Sequence, residues 1–170
     1  MSTATKPPVR AGRAGGPDQA PTGEFRLRNF FPYRINILAD AVSRSLAQLY
    51  AQRFDLTRPE WRVIASLGDR PGMTARDIAR DTVLDKMQVS RAVARLEADG
   101  LVAREQDRRD RRIKILRLTR RGRALVRKIV PLALAREDYI LSALTRDERA
   151  MLDIIMDKLK NRALDLQKRG

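Results

Sequence analysis

The sequence contains no cysteine and no histidine. Without cysteine there is no disulfide, no thiol redox sensor and no thiolate nucleophile. Without histidine as well, Cys/His zinc sites and imidazole acid–base catalysis are excluded. Aromatic residues make up only 5% of the chain, which disfavours sandwiches and barrels, whose strands draw on aromatic and β-branched side chains. No apolar run approaches the roughly 20 residues that span a bilayer, and the N-terminus lacks the apolar stretch of a secretory leader. These absences predict a mainly helical, cytoplasmic protein with no metal, no cofactor and no membrane attachment.

What is present is charge, largely of one sign. Against 21 Asp and Glu stand 36 Lys and Arg, a net +15 over 170 residues. That balance calls for an anionic partner. A membrane binder would carry a basic amphipathic helix with Trp, Phe and Leu opposite, and none stands out. Duplex DNA, with its dense phosphate charge, is the better match. The length suits one domain with an appended helical part.

Residues 1–23 are rich in Pro, Gly, Ala, Thr and Arg and read as a disordered, slightly basic tail. From about 30 to 54, Ile35, Leu38, Val42, Leu46, Leu49 and Tyr50 recur at three- and four-residue steps, predicting one long amphipathic helix. Thr57-Arg58-Pro59-Glu60 is a capping box that starts a second helix, ending near Gly68. Thr74 with Asp77, and Asp85 with Gln88, open two short helices over about 75–81 and 86–98, joined by a tight turn. After Gly100, residues 101–104 and 113–118 read as two strands around a charged turn. Thr119 opens a long helix over about 120–143 with a kink expected at Pro131, and Thr145 with Glu148 opens another over about 146–167. The pattern predicts a mainly α (α+β) fold: a winged helix-turn-helix over 57–119, with N-terminal (24–56) and C-terminal (120–170) helices for dimerisation.

In such a unit the second short helix enters a major groove with its N-terminal side chains at the base edges. Here Lys86, Gln88, Ser90, Arg91 and Arg95 face outward while Val89, Val93 and Leu96 turn in. Gln can bind adenine through two hydrogen bonds, Arg can bind guanine, and Lys or Ser can hold the backbone. Taken alone these are also ordinary solvated helix residues. Their context is the segment 104–123, where ten cations face three carboxylates, so that seven of the fifteen net charges fall within twenty residues. A face needing only solubility would mix the signs. An arginine-rich hairpin tip beside a reading helix suits the narrow minor groove, and Asp110 is placed to brace Arg112 through a bidentate pair.

Asp107-Arg108-Arg109-Asp110-Arg111-Arg112 is followed by Leu118-Thr119-Arg120-Arg121-Gly122 and preceded by Val89-Ser90-Arg91, Leu96-Glu97 and Gly100-Leu101-Val102. With this spacing the chain resembles the MarR family of bacterial regulators over about residues 30–165. The resemblance implies an obligate homodimer whose first and last helices interleave, with two winged modules over successive major grooves of a pseudo-palindromic operator. It implies that Gln88, Ser90 and Arg91 contact bases or phosphates and that Arg112, braced by Asp110, probes the minor groove. Arg109 and Arg111 serve either the groove or the phosphates. The chain departs from the family's thiol-sensing branch, since it has no cysteine.

A narrower resemblance, carried by Phe31-Pro32-Tyr33-Arg34, Glu60-Trp61-Arg62 and Asp85 to Arg91, is to a branch controlling aromatic-acid catabolism, some of whose members respond to aromatic acyl-CoA thioesters. It implies a repressor released by a small anionic aromatic effector. Phe31, Tyr33, Arg34, Trp61 and Arg62 are the expected ligand residues, rings taking the apolar body and guanidinium groups the anion. The competing reading of these aromatics is plain core packing. A competing function is constitutive or architectural DNA binding without an effector; a pocket lined by parts of the first and second helices would separate the two. An enzyme has little support, because the acidic pair Asp77 and Asp81 has no accompanying base or nucleophile and suits helix solvation.

Overall fold

The computed structural model describes residues 25–107 and 109–169; the N-terminal segment expected to be disordered lies outside them. After a 3-10 turn at Leu27–Asn29 come α1 (Phe31–Phe54), α2 (Arg58–Asp69), α3 (Ala75–Thr82), α4 (Lys86–Ala98), β1 (Val102–Gln106), β2 (Lys114–Leu118), α5 (Arg120–Leu141) and α6 (Arg146–Arg169). The chain divides into two compact units, residues 1–39 and 40–170.

Each helix of the second unit starts where its polar side chains can satisfy free backbone amides. Thr57 Oγ1 accepts the Glu60 N–H at 3.4 Å and Glu60 Oε2 accepts the Thr57 N–H at 2.7 Å. The same reciprocal box forms at Thr74 with Asp77, Asp85 with Gln88, and Thr145 with Glu148. At the other end of α4, Gly100 takes φ +67°, and the Leu101 N–H returns to the Leu96 carbonyl at 2.9 Å. Such a left-handed residue is how a helix ends and its chain turns away.

The core is built from Val63, Ile64, Leu67, Ile78, Val89, Val93, Leu96, Leu101, Leu116 and Ile129, all buried. Each contributes about 1.5–3 kcal/mol through removal of its side chain from water. Together these contacts hold α2, α3, α4 and the hairpin as one winged module. β1 and β2 pair antiparallel in the register Val102↔Leu118 to Gln106↔Lys114. The strands sit slightly later than the sequence suggests, since Leu101 is used in the turn that closes α4. Met73 adds a third, one-residue strand: it bridges Leu116, whose N–H donates to the Met73 carbonyl at 2.7 Å. That bridge lies outside any run of alternating residues, so no sequence period announces it.

α5 opens on Thr119, whose hydroxyl accepts the Gly122 N–H at 3.0 Å and donates to the Gly100 carbonyl at 2.7 Å. It continues as one helix through Pro131. The Arg136 guanidinium donates to the Ser45 carbonyl, fastening α5 to the second half of α1. α6 buries none of its 24 residues.

Candidate nucleic-acid interface

The interface begins with the outer face of α4. Because Val89, Ala92, Val93 and Leu96 are buried, the helical period places Lys86, Met87, Ser90, Arg91 and Ala94 in solvent. Lys86, Ser90 and Arg91, three of the expected readers, thus share the first two turns, and none has a side-chain partner among the described residues.

The other two differ. Gln88 Oε1 accepts the Asp85 N–H at 3.1 Å as the second arm of the cap. The cap thus engages one lone pair of that oxygen and leaves the other, with the amide N–H groups, for a base. Arg95 lies nine residues beyond Lys86, about 14 Å along the axis. Its Nη2 is 3.0 Å from Asp55 and its Nε 3.5 Å from Asp99. It lies one turn beyond Arg91 on the same face, at the far end of the helix, with its guanidinium partly engaged by these two carboxylates.

The wing tip is organised by two aspartates. Asp107 Oδ1 accepts the backbone N–H groups of Arg109 at 2.8 Å and Asp110 at 3.0 Å, an arrangement in which a short carboxylate folds the chain onto itself. The loop closes through Asp107 N–H to the Ile113 carbonyl at 3.0 Å and Ile113 N–H to the Asp110 carbonyl at 2.9 Å. Asp110 Oδ1 then accepts the Arg112 N–H at 3.0 Å and Nε at 3.1 Å, while Oδ2 accepts Nη2 at 3.1 Å. The expected bidentate brace is thus present, and the Arg112 side chain remains 91% exposed. Hydrogen bonds from the Asp110 and Arg109 amides hold the Asp107 carboxyl below the usual range. The Arg112 guanidinium and amide do the same for Asp110.

Not every cation of the basic segment is available. Arg104 pairs with Glu97 at 2.8 Å and Arg117 with Glu105 at 3.2 Å, while Arg123 donates to the Leu118 carbonyl at 2.6 Å. Arg104 joins the hairpin to α4 and Arg123 joins it to α5, while Arg117 pairs across its two strands. Arg109, Arg111, Lys114, Arg120 and Arg121 remain exposed. The charge that composition reports is thus divided between structure and solvent.

Trp61 and Arg62 lie in a shallow, open depression shared with Ala65, Ser66, Asp69, Asp81 and Thr82. Its walls come from α2 and the end of α3 rather than from the first and second helices. The Trp61 ring stacks on Tyr50 at 5.8 Å, so part of it serves packing. Arg62 Nη1 donates to the Thr82 carbonyl at 3.1 Å. Burial, and then the like charge of Arg58, lower the pKa of its guanidinium. Phe31, Tyr33 and Arg34 lie in the other unit, exposed on the first turn of α1. Asp77 and Asp81 are engaged in the Thr74 cap and in ion pairs with Arg80 and Arg70, which is the structural role expected of them.

Two features escaped sequence reasoning. Val83, in the turn between α3 and α4, takes φ +55° while 88% exposed. Met87, one turn before Ser90 and Arg91, is 59% exposed; its spacing to those residues was the available signal.

A family model described as MarR family matches residues 54–113. The transcriptional regulator HosA of Escherichia coli O157:H7 is 28% identical over 123 residues, covering 69% of this chain and 91% of that protein. A MarR/EmrR family transcriptional regulator from Acinetobacter sp. ADP1 superposes with a TM-score of 0.76 at 27% identity, over 83% of this chain and 99% of the other. BpsR of Bordetella bronchiseptica, whose DNA binding is regulated by 6-hydroxynicotinic acid, superposes with a TM-score of 0.72 at 25% identity, over 81% and 98%. All three relatives are similar along most of their own length.

Proposed function

We propose that this chain, which is similar to MarR family transcriptional regulators over most of its length, is one of them: a homodimeric repressor whose hold on a pseudo-palindromic operator is released by a small aromatic anion. The observation that carries the DNA contact is the pairing of two exposed features. Arg112 stands out from the wing tip on its Asp110 brace, and α4 offers Lys86, Ser90 and Arg91. The helix enters the major groove, with Arg91 at a guanine edge and Lys86 and Ser90 on the backbone. Arg112 enters the adjoining minor groove, where a narrow A·T tract concentrates negative potential. Arg109 and Arg111 neutralise phosphates, and Gln88 contributes through its free amide.

The homodimer rests on α6. Met151, Ile155 and Leu159 form a stripe at four-residue steps, each at least 41% exposed, on a helix that buries nothing within its own chain. Residues 24–56 and 120–170 serve dimerisation and 57–119 DNA binding. Two winged modules then present their α4 helices one duplex turn apart, about 34 Å.

The effector reading is favoured by one further observation. A partly buried guanidinium that shares its surroundings with a second arginine gains from a carboxylate, and Arg62 stands beside the Trp61 ring in the depression. A free aromatic carboxylate fits that pairing, as does 6-hydroxynicotinic acid, which acts on the similar BpsR; a coenzyme A thioester, whose carboxylate is lost to the thioester bond, would present its phosphates to the arginines instead. The test is operator release by matched free acids and thioesters, read by fluorescence anisotropy. Release at micromolar to millimolar concentration, abolished by Arg62→Ala, is expected; unchanged binding with every pair removes the effector and leaves the DNA-binding reading in place.

A further inference from the structure

On the reading that α4 lies in a major groove, we propose that Met87 is a specificity-determining residue that recognises the C5-methyl group of a thymine. Among the described residues of 57–119, the large apolar side chains left exposed are Val83, Met87 and Ile113. Met87 alone of these is on α4, and it is the second residue of that helix.

Residues three and four apart lie on one face of a helix. Met87 therefore shares its face with Ser90 and Arg91, and Ala94 continues that face one turn further on. All four are exposed. The reading surface is thus one unbranched thioether followed by a hydroxyl, a guanidinium and a methyl group. In a major groove, guanine offers two acceptors to Arg91, whereas thymine offers one acceptor and a methyl group. Hydrogen bonding cannot recognise that methyl; an apolar side chain can. Methionine, with three rotatable bonds and a polarisable sulfur, adapts to such a contact without demanding one exact position.

The neighbouring cap strengthens the assignment. With its Oε1 held by the Asp85 N–H, Gln88 is anchored to the cap, and the thymine methyl of an A·T pair beneath the start of α4 is a contact that only an apolar side chain can make. Met87 is the side chain that contacts it, and the Asp85 cap fixes the first turn from which it projects.

The test uses the full-length protein. Preferred duplexes are first selected from a random pool, and each thymine of the consensus is then replaced by deoxyuridine, which removes the methyl group and leaves every hydrogen-bonding atom. Burial of one methyl group corresponds to about a fourfold change in affinity. The proposal expects the wild type to lose about that factor at one thymine in each half-site. Met87→Gln, an exposed substitution of similar length and helix propensity, should bind the thymine and uracil duplexes equally. A consensus whose thymines all tolerate uracil, or a Met87→Gln variant that keeps the same sensitivity, overturns the assignment while leaving groove binding intact. A pool that yields no preferred duplex overturns the groove reading and this assignment with it.

Discussion

Gly122→Ala is the substitution that most sharply probes how the wing is joined to α5. Gly122 is the third residue of that helix, and its N–H is held by the Thr119 hydroxyl at 3.0 Å. A Cβ built on Gly122 would overlap the Leu101 carbonyl oxygen and sit 3.3 Å from a Leu118 methyl. The oxygen belongs to backbone and cannot swing aside as a side chain would. It also accepts the Thr119 N–H at 3.0 Å. Relief therefore means moving the start of α5 off the hairpin, with overpacking worth about 1–3 kcal/mol and a strained or lost hydrogen bond worth about 0.5–1.5 kcal/mol. Alanine returns up to about 1 kcal/mol through its better helix propensity. The net expectation is a loss of about 0.5–4.5 kcal/mol, or roughly 1–15 °C in Tm for a chain of this size. Thermal unfolding of wild type and variant at equal protein concentration measures it, the concentration being fixed because association shifts Tm. A variant that melts at or above the wild-type temperature would refute the close approach of α5 to Leu101.

Val83→Gly should act in the opposite direction. A left-handed β-branched residue carries about 1–2 kcal/mol of strain, of which glycine's greater unfolded-state entropy cancels about 0.5–1 kcal/mol, so Tm should rise by about 1–4 °C. Asp110→Asn should weaken binding to duplexes with A·T-rich flanks severalfold, because Arg112 loses its charged brace, while circular dichroism and Tm stay close to wild type. Operator affinity should be flat between about pH 5 and 8, since no histidine is present and the Asp107 and Asp110 carboxyls are held below their ordinary range. Groups whose folded pKa is lowered contribute above their unfolded value, about 3.9 for Asp, and that contribution is lost only as acid takes the pH through the folded value; affinity measured across pH at constant ionic strength checks this. Ile155→Glu combined with Leu159→Glu should convert a dimer into a monomer in sedimentation at low micromolar concentration, because charge is placed on the stripe of α6 that its own chain leaves bare.

The helices were legible because their starts are written in side chains. Thr57, Thr74, Asp85, Thr119 and Thr145 each cap a helix at the predicted place, and α4 spans Lys86–Ala98 as its period implies. The bidentate hold of Asp110 on Arg112 was legible from charge order in a short turn. The use to which each cation is put was not. Arg95 looks like a free phosphate ligand from its sign and exposure, yet Asp55, forty residues away in sequence, accepts a hydrogen bond from its guanidinium. Gln88 looks like a free base reader, yet its side chain also forms the reciprocal cap with Asp85. The Met73 bridge to Leu116 is set by tertiary packing, which overrides local preference, whereas the exposed Val83 takes its left-handed conformation as the C-cap of α3 in the tight turn to α4. The expected ligand residues spread over two regions of the chain, and only Trp61 and Arg62 share a described depression.

A chain that reads a DNA sequence, rather than merely attracting phosphate, distinguishes a selected duplex from a scrambled duplex of equal length when both are titrated from about 50 to 200 mM salt. Both affinities should fall as salt rises, while the selected duplex remains at least about a thousandfold tighter throughout. Equal affinities with parallel salt dependence would contradict sequence reading, reducing the wing and α4 to a patch of positive charge.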